Sequence, residues 1–330
     1  MRIGIVGVSG YGGSELLRLC AGHPSFEIAY VGGESTAGQA LAQRFPALGG
    51  HAAGKLVIQP FAPESIDGLD LLFVSLPTGK SRAPLAKVPK HVRIVDVGGD
   101  HRFVEGWTYG LTELPGQREK IRGAHRLANP GCYPAAALLA LAPLVKEGLI
   151  DAEGIVVDAK SGITGTGRGG ASDFGYAETN EDVFAYGLEA HPHVPEMETA
   201  LAQVGGKKST IAFTPHLVPM TRGILATCYA RPKGGASAKR IFEAAEACYR
   251  GEAFVRVLPL ENGRSAHTGW TTGSNLAFLS YAVNAQTGLV VALGAIDNLG
   301  KGASAQAVQN ANLMTGQPET AGLSGLPLWP

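Results

Sequence analysis

The chain has 330 residues, of which 45% are apolar and 17% charged, enough for a large core and more than one domain. Lysine plus arginine equals aspartate plus glutamate at 28 each, without a basic block, so composition argues against nucleic acid and membrane surfaces as partners. The four cysteines lack metal-binding spacing, and no signal peptide pattern precedes the first strand. We therefore expect free thiols, no metal and a cytoplasmic location.

The first third of the chain alternates apolar strand patterns with helical or loop segments. Strands are predicted at 2–8, 27–33, 69–77 and 92–98. Leu16, Leu17 and Cys20 recur at helical spacing after the first strand. Such alternation is typical of a parallel sheet covered by helices on both faces.

After residue 132 the pattern changes. Strands are predicted at 154–162, 209–219, 223–232, 254–259, 275–284 and 288–297. Helices are predicted at 237–250 and from 301 to about 314. Strands joined by short turns favour a mainly antiparallel sheet, and so a second domain of the α+β class.

A glycine-rich turn, GVSGYGG, connects the first strand to the first helix. Glycines permit a tight turn and close backbone approach, and the helix N-terminus offers free N–H groups to a phosphate. The spacing differs from the commoner G-x-G-x-x-G, and an ordinary strand-to-helix turn is the alternative. We favour dinucleotide binding, with candidate residues Gly7, Ser9, Gly10, Tyr11, Gly12 and Gly13.

The choice between NADP and NAD depends on the segment that follows the second strand. A carboxylate there suits a ribose 2′-hydroxyl, whereas small hydroxyls or an arginine suit a 2′-phosphate. Glu34 points to NAD, while Ser35 and Thr36 point to NADP. The residues alone leave both cofactors open.

Cys132 opens an apolar helix directly behind Asn-Pro-Gly. A helix N-terminus favours thiolate over thiol, and the thiolate is the nucleophilic form. The alternative is a small residue that merely begins a buried helix. Cys20, Cys228 and Cys248 lie inside helix or strand patterns, where a cysteine is usually a small buried hydrophobe.

A possible base for this sulfur lies in HPHVPEM. His191 and His193 precede a helix predicted to start near Pro195, and residues two apart in an extended loop point the same way. A metal pair is disfavoured because no third ligand is evident. A histidine near a cysteine at a helix start would stabilise thiolate and carry protons.

Six segments, in order along nearly the whole chain, resemble the N-acetyl-gamma-glutamyl-phosphate reductase family. They are GVSGYGGSELLRL, NPGCYPAAALLALAPL, DAKSGITGTGR, HPHVPEM, FTPHLVPMTRGILAT and AIDNLGKGASAQAVQNANLM. The resemblance implies an α/β fold like that of aspartate-semialdehyde and glyceraldehyde-phosphate dehydrogenases. It comprises a Rossmann-type NAD(P)-binding domain (1–131 and 299–330) and an α+β catalytic and oligomerisation domain (132–298).

The resemblance also implies an activity. Cys132 thiolate would attack the acyl phosphate of N-acetylglutamyl 5-phosphate, and the thioacyl enzyme would be reduced by NADPH, with NAD possible, to the semialdehyde of arginine biosynthesis. His193 would be the general acid/base and His191 its neighbour and proton relay. A homodimer or homotetramer is implied, with the second domain's strands at the subunit interface.

Further positions follow from the same resemblance. Those expected near the cofactor are Ser35, Ser161, Gly162 and Asn298, and those expected near the substrate are Arg102, Arg168, Tyr186 and Arg222. An arginine can bind phosphate or carboxylate through two hydrogen bonds, although any one of these could instead form a surface ion pair. The chain departs from the family pattern at Glu34, Thr78 and Pro192.

Two other functions remain as alternatives. One is the reductase of a carrier-bound aminoadipate phosphate in lysine biosynthesis, against which NPGCYP argues. The other is a dinucleotide-binding sensor without catalysis, against which the retention of Cys132 and His193 argues.

Overall fold

The computed structural model describes residues 1–168, 175–259 and 265–328. The chain divides into two compact units. The first unit contains Met1–Thr112, Gln117–Pro130 and Ala303–Ser324, and the second contains Gly131–Gly302 with short segments from 113 and from 325. Among the described residues, every helix is too short or too polar to span a membrane.

A six-stranded parallel sheet forms the centre of the first unit. Its strands are β1 Arg2–Val6, β2 Glu27–Gly32, β3 Leu71–Val74, β4 Arg93–Asp96, β5 Thr108–Tyr109 and β6 Arg126–Ala128. Their order is β2-β1-β3-β4-β6-β5, and each neighbouring pair is parallel. All four residues of β3 are 0% exposed, so this central strand is covered on both faces, as the apolar run predicts.

Five helices belong to the first unit. They are α1 Tyr11–Ala21, α2 Leu41–Arg44, α3 Arg82–Leu85, α4 Gln117–Arg122 and α9 Ala305–Met314. Every residue of α9 is buried, including four with side-chain amides. The nitrogen of each amide donates a hydrogen bond; Asn310 Nδ2, for example, donates to Gly110 O at 2.7 Å and to Asn129 Oδ1 at 3.0 Å.

A seven-stranded mixed sheet forms the centre of the second unit. Its strands are β7 Ile155–Gly162, β8 Phe184–Ala185, β9 Ile211–Val218, β10 Ile224–Ala230, β11 Val255–Val257, β12 Ala277–Val283 and β13 Val290–Ile296. Their order is β11-β12-β13-β10-β7-β9-β8. Four neighbouring pairs are antiparallel and two are parallel, so the prediction of a mainly antiparallel sheet is confirmed.

Helices cover one face of this second sheet. They are α5 Cys132–Lys146, α7 His193–Gly205 and α8 Ala238–Tyr249, and the unit also contains the short helix α6 Tyr176–Thr179 and a π-helical turn at Gly300–Ser304. Strands β7, β9 and β10 alternate buried and partly exposed residues, which marks one covered and one open face. Helix α5 lies directly on β13, where a Cβ on Gly294 would meet Ala136 O at 2.3 Å.

The structure departs from the sequence prediction in its short elements. The predicted strands are present but shorter by one to five residues, and β5, β6 and β8 were not predicted. These three strands have two or three residues, too few to show a hydrophobic period. The helix predicted to start near Pro195 begins two residues earlier, at His193, and the preceding Pro192 is helical in conformation rather than extended as predicted.

Candidate active site

Cys132 is the first residue of α5, as predicted. Gly131 precedes it in an extended conformation and places no side-chain cap on the helix. The sulfur-bearing residue is partly exposed, whereas Cys20 and Cys228 are 0% exposed and burial raises the pKa of both thiols. Cys248 is also partly exposed, contrary to the expectation of a buried thiol, although desolvation still raises its pKa and it lies near the end of α8 rather than at a helix start. Cys132 is therefore accessible to solvent, and it lies at a helix N-terminus without a side-chain cap, where backbone N–H groups favour a thiolate.

A carboxylate connects the residue before Cys132 to helix α7. Glu196 lies one turn after His193, is 4% exposed, and accepts a hydrogen bond at Oε1 from the Gly131 N–H at 2.8 Å. Sequence reasoning missed Glu196. Its signal was an acidic residue on the buried side of an amphipathic helix, since Met197, Ala200 and Leu201 are buried with it.

His191 and His193 lie side by side, with ring centroids 4.8 Å apart. The N–H of His193 donates to His191 Nδ1 at 3.1 Å, so Nδ1 acts as an acceptor and the neutral ring carries its proton on Nε2. Burial lowers the pKa of His191. The predicted extended loop thus ends two residues early, because Pro195 fits the first helical turn, where its missing N–H leaves no bond unmade.

Two tyrosines complete the surroundings of the sulfur. The Tyr186 hydroxyl donates to the Tyr133 hydroxyl at 3.2 Å, and the Tyr133 hydroxyl donates to His216 O at 3.0 Å. Burial raises the pKa of both, that of Tyr186 to about 12, and the negative charge of a Cys132 thiolate contributes to both shifts. The rings of Tyr133 and His193 also pack edge to face, with their centroids 6.0 Å apart. The structure thus brings Tyr186 together with Cys132 and the histidines.

The loop after β7 is joined to the end of β13 by Asn298. Its Oδ1 accepts from the Gly223 N–H at 2.7 Å, and its Nδ2 donates to Thr164 Oγ1 at 2.9 Å. Ser161 is 1% exposed at the end of β7. A Cβ on Gly162 would meet Arg222 N at 2.9 Å, so this backbone crossing favours glycine. Both ends of the Asn298 amide therefore hold loops of its own unit.

The three candidate arginines lie in different settings. Arg222 pairs with Asp297, its Nε lying 3.2 Å from Oδ1. Arg168 is exposed, at the end of the loop that follows β7. Arg102, in the first unit, donates from Nε to Asn129 O at 3.0 Å. Arg102 thus fixes the chain three residues before Cys132 in sequence.

The glycine turn of the first unit has the geometry that a phosphate site requires. Gly7 has φ +80° and its Cβ position lies 2.0 Å from Ser75 O, and the Cβ position of Gly13 lies 2.0 Å from Gly7 O. Gly10 precedes α1 with no side-chain cap, and Tyr11 begins the helix. The side chain at the N-cap position therefore accepts no hydrogen bond from the first N–H groups of α1.

Hydroxyl groups lie close together around the segment that follows β2, residues 33–36. A Cβ on Gly33 would lie 3.2 Å from Thr36 Oγ1 and 3.7 Å from Ser9 Oγ. Thr36 is 9% exposed, and its hydroxyl has no hydrogen-bond partner among the described residues. Ser35 and Glu34 are exposed, and Glu34 Oε1 accepts from the Phe61 N–H at 3.3 Å. An unpartnered buried hydroxyl beside a glycine turn is what a bound dinucleotide would satisfy.

Two family models match the chain. The model described as semialdehyde dehydrogenase, NAD binding domain, matches residues 2–124. The model described as semialdehyde dehydrogenase, dimerisation domain, matches residues 132–298. Each unit thus contains most of one matched domain.

Full-length relatives decide the family. Proteins from Bradyrhizobium sp. (strain ORS 278) and Methylobacterium sp. (strain 4-46), both named N-acetyl-gamma-glutamyl-phosphate reductase, are 56% identical to this chain, over 100% of it and 99% of their own length. A protein of the same name from Brevibacillus brevis is 42% identical over 100% of both chains. The chain belongs to the N-acetyl-gamma-glutamyl-phosphate reductase family.

Solved structures of aspartate semialdehyde dehydrogenases share the fold of this chain. Aspartate semialdehyde dehydrogenase II from Vibrio cholerae, complexed with ASA, matches with a TM-score of 0.73 at 13% identity, over 95% of this chain and 98% of that one. The enzyme from Candida albicans with NADP matches with a TM-score of 0.73 at 15% identity and the same coverage. The predicted fold class is confirmed.

Proposed function

We propose that this chain reduces N-acetyl-L-glutamyl 5-phosphate to N-acetyl-L-glutamate 5-semialdehyde and phosphate, with NADPH, in arginine biosynthesis. Membership of the reductase family supports the substrate. The observation that carries the chemistry is the accessible Cys132 at the start of α5, bonded through Gly131 and Glu196 to the helix that begins with His193. An acyl phosphate needs a nucleophile that attacks well and leaves well, and a thiolate does both.

The reaction divides into acylation and reduction. The Cys132 thiolate attacks the acyl carbon, the new C–S bond forms, and the bond from that carbon to the phosphate oxygen breaks, so inorganic phosphate leaves. NADPH, when bound, supplies the hydride that reduces the thioester. The resulting thiohemiacetal collapses: its C–S bond breaks, its hydroxyl loses a proton, and thiolate and aldehyde separate.

We assign the proton transfer to His193, which protonates the developing oxyanion and removes the proton on collapse. His191 supports it in two ways. Its Nδ1 holds the backbone of His193, and its Nε2–H points away from that bond as a proton relay. Tyr186, whose hydroxyl donates to Tyr133, can accept a hydrogen bond from the amide N–H of the substrate, and its raised pKa keeps the hydroxyl protonated at neutral pH.

The dinucleotide would be held by residues 1–131 with 299–330. Gly7, Gly10 and Gly13 leave room for the pyrophosphate, and Ser9, Tyr11 and Gly12 complete the turn. These residues fit such a group, because Gly10 leaves the start of α1 without a side-chain cap, and backbone already occupies the Cβ positions of Gly7 and Gly13, so that only glycine permits this tight turn. We assign Ser161, Gly162 and Asn298 of the catalytic domain (132–298) to the nicotinamide end.

We propose NADP rather than NAD as the preferred cofactor. Glu34, the residue that favours NAD, is exposed, and its carboxylate accepts from the Phe61 N–H. The hydroxyls of Ser35 and Thr36 follow Glu34 on this segment, Ser9 Oγ of the glycine turn lies 3.7 Å from the Cβ position of Gly33, and small hydroxyls suit a 2′-phosphate. Comparison of kcat/KM with NADPH and NADH tests this directly, and an NADH value above the NADPH value would reverse it.

The substrate has two anionic ends, a phosphate and a carboxylate. We assign Arg102, Arg168 and Arg222 to these two groups, because an arginine can bind a phosphate or a carboxylate through two hydrogen bonds, and Arg168 and Arg222 follow β7 and β9, which end side by side at Gly162 and Val218. Arg222 remains pre-oriented by its pair with Asp297, which is 0% exposed. Pre-orientation reduces the conformational entropy lost on binding.

The open face of the second sheet supports assembly into a homodimer or homotetramer. The match to a dimerisation domain covers this sheet. Partly exposed residues repeat along its open face, among them Val156, Thr227 and Tyr229. Burying these strands against a second copy would remove apolar surface from water. Four free cysteines fit a reducing compartment, so we place the enzyme in the cytoplasm.

The reverse reaction tests the function. N-acetylglutamate semialdehyde, phosphate and NADP are mixed with the enzyme, and the absorbance of reduced cofactor is followed before and after alkylation. We expect phosphate-dependent reduction that alkylation of Cys132 abolishes. Turnover only with a carrier-protein conjugate of aminoadipate semialdehyde would indicate the lysine-pathway reaction, and cofactor binding without any turnover would indicate a sensor.

A further inference from the structure

The turn after β13 contacts Cys132 through a glycine. A Cβ on Gly302 would lie 2.9 Å from Cys132 Cβ, 3.2 Å from its Cα and 3.2 Å from Ile296 Cδ1. Carbon atoms of separate residues do not approach so closely without displacement. Gly302 has no positive φ, so its backbone conformation does not require glycine. The requirement comes from the nearness of the cysteine.

Asp297 fixes the backbone on one side of Gly302. Its Oδ1 accepts from the N–H of Leu299 at 2.8 Å and of Gly300 at 3.1 Å, and its carbonyl accepts from the Gly302 N–H at 2.9 Å. A Cβ on Gly300 would also meet Ser274 O at 2.1 Å. These bonds and contacts therefore hold the turn in place and oppose its displacement away from Cys132.

Lys301 fixes the turn at the next residue. Its side chain is 0% exposed, its Nζ lies 2.6 Å from Glu113 Oε1, and the ammonium lies 5.6 Å from the centre of the Phe254 ring. Moving a buried ammonium away from its carboxylate would leave two uncompensated charges. Lys301, the residue before Gly302 in the sequence, is thus held in place by Glu113, and Cys132 packs against the Cα of Gly302.

We propose that Gly302 is a positioning residue for Cys132. Its bare Cα lets the fixed turn lie against the cysteine and sets where the first turn of α5, and so the sulfur, is placed. This inference rests on the proposed function in one respect, that Cys132 is the nucleophile. A shift of about 1 Å in a reacting atom can reduce a rate on the order of 100-fold, so a methyl group here should affect turnover strongly.

Gly302→Ala tests the proposal, with Gly269→Ala as the matched control. Gly269 is exposed, has no positive φ, and a Cβ there meets nothing within 4 Å. We expect Gly302→Ala to lower kcat on the order of 100-fold, with KM and NADPH binding within about threefold of the parent. Gly269→Ala should change kcat less than about twofold. A Gly302→Ala enzyme that folds and keeps kcat within about threefold overturns the proposal.

Ile296→Val separates positioning from general crowding. This change removes the Cδ1 atom that the new methyl group would also meet, but leaves the contact with Cys132. We expect the double variant to regain melting temperature but not kcat. Recovery of kcat as well would show that Gly302 acts through core packing alone. If Gly302→Ala does not fold, the double variant is assayed in its place, and parental kcat in it overturns the proposal.

Alkylation of Cys132 by iodoacetamide gives a readout that needs no substrate. Displacement of the sulfur from the N–H groups of α5 should raise the pH midpoint of alkylation by about half a unit in Gly302→Ala. If the parent fails to turn over N-acetylglutamyl phosphate, the proposed function fails while this comparison still holds. An unchanged midpoint together with unchanged alkylation rate contradicts the positioning role.

Discussion

Helices α5 and α8 belong to the same unit but begin differently. Ser237 caps α8, and its Oγ accepts the Arg240 N–H at 3.3 Å, which satisfies an otherwise free donor. Helix α5 begins behind Gly131, without a side-chain cap, and its first residue is Cys132. One helix start is thus completed by its own side chain for stability. The other lacks such a side-chain cap, and its first residue is the proposed nucleophile.

The contrast extends to α1 in the first unit. Gly10 precedes that helix as Gly131 precedes α5, and neither glycine carries a side-chain acceptor. Both helix starts can therefore receive negative charge from outside the helix, a phosphate in one case and a thiolate in the other. Stability and function use the same N–H groups, so a helix start cannot be optimised for both.

Cys132→Ser should cause the largest loss of turnover, because it removes the proposed nucleophile at the start of α5. A serine hydroxyl is protonated at neutral pH, so little nucleophile remains, and we expect kcat to fall on the order of 1000-fold or more. NADPH affinity should remain within about twofold, measured by fluorescence titration. Near-parental turnover in this variant would refute the thioester route.

His193→Asn should have the next largest effect. Loss of the acid/base group should lower kcat on the order of 100-fold, in the usual range for proton transfer. The pH–rate profile, measured alongside, should lose the limb that reports His193. A loss under about threefold would transfer the role to His191 or to water.

Glu196 sharpens the comparison, because it contacts the residue before Cys132. Glu196→Ala should lower kcat roughly tenfold, since it leaves the buried Gly131 N–H without its acceptor. Glu196→Gln keeps an oxygen in place and should recover most of that loss. Equal losses in both variants would show that the negative charge, rather than the hydrogen bond, is what matters.

Protonation of His191, two residues before the first residue of α7, should destabilise the fold as the pH falls. The pKa of His191 is lowered by burial, while the unfolded chain takes up the same proton near 6.5. The unfolded state therefore binds more protons as the pH falls below about 6.5, and the free energy of unfolding decreases. Proton NMR should show the His191 midpoint below 6.5, with His191→Asn identifying the resonance. A midpoint at or above 6.5 would contradict this.

Ser237→Ala should have the smallest effect on catalysis. Loss of the cap should lower the free energy of unfolding by about 1 kcal/mol. Turnover should stay within about twofold of the parent. Thermal unfolding and steady-state assay of the same preparation check both statements, and a large loss of kcat would show that α8 is not merely structural.

The sequence predicted where α1 and α5 begin because the signals for both starts are local. The spacing of Gly7, Gly10 and Gly13 predicts a turn between the first strand and the first helix. The Asn-Pro-Gly sequence directly before Cys132 predicts that a helix starts there. Strand patterns likewise depend on a few consecutive side chains. The fold class and the family resemblance were therefore accessible without coordinates.

The residues that sequence reasoning missed act across long separations. Glu196 is 65 positions from Gly131, and Gly302 is further still from the Cys132 that it contacts. Neither residue type signals its partner, and a buried glutamate or a glycine near a chain terminus has many ordinary explanations. Only the packing of α5 against α7 and the turn after β13 reveals them.

Trapping the acyl enzyme tests the central role of Cys132 most directly. The enzyme is mixed with N-acetylglutamyl phosphate in the absence of any reductant, quenched in acid, and digested for mass spectrometry, while released phosphate is measured. We predict one N-acetylglutamyl group per active site, on the peptide containing Cys132, with one phosphate released and the label removed by hydroxylamine. Acylation of another residue, or reduction that proceeds with Cys132 unmodified throughout, would contradict the thioester mechanism.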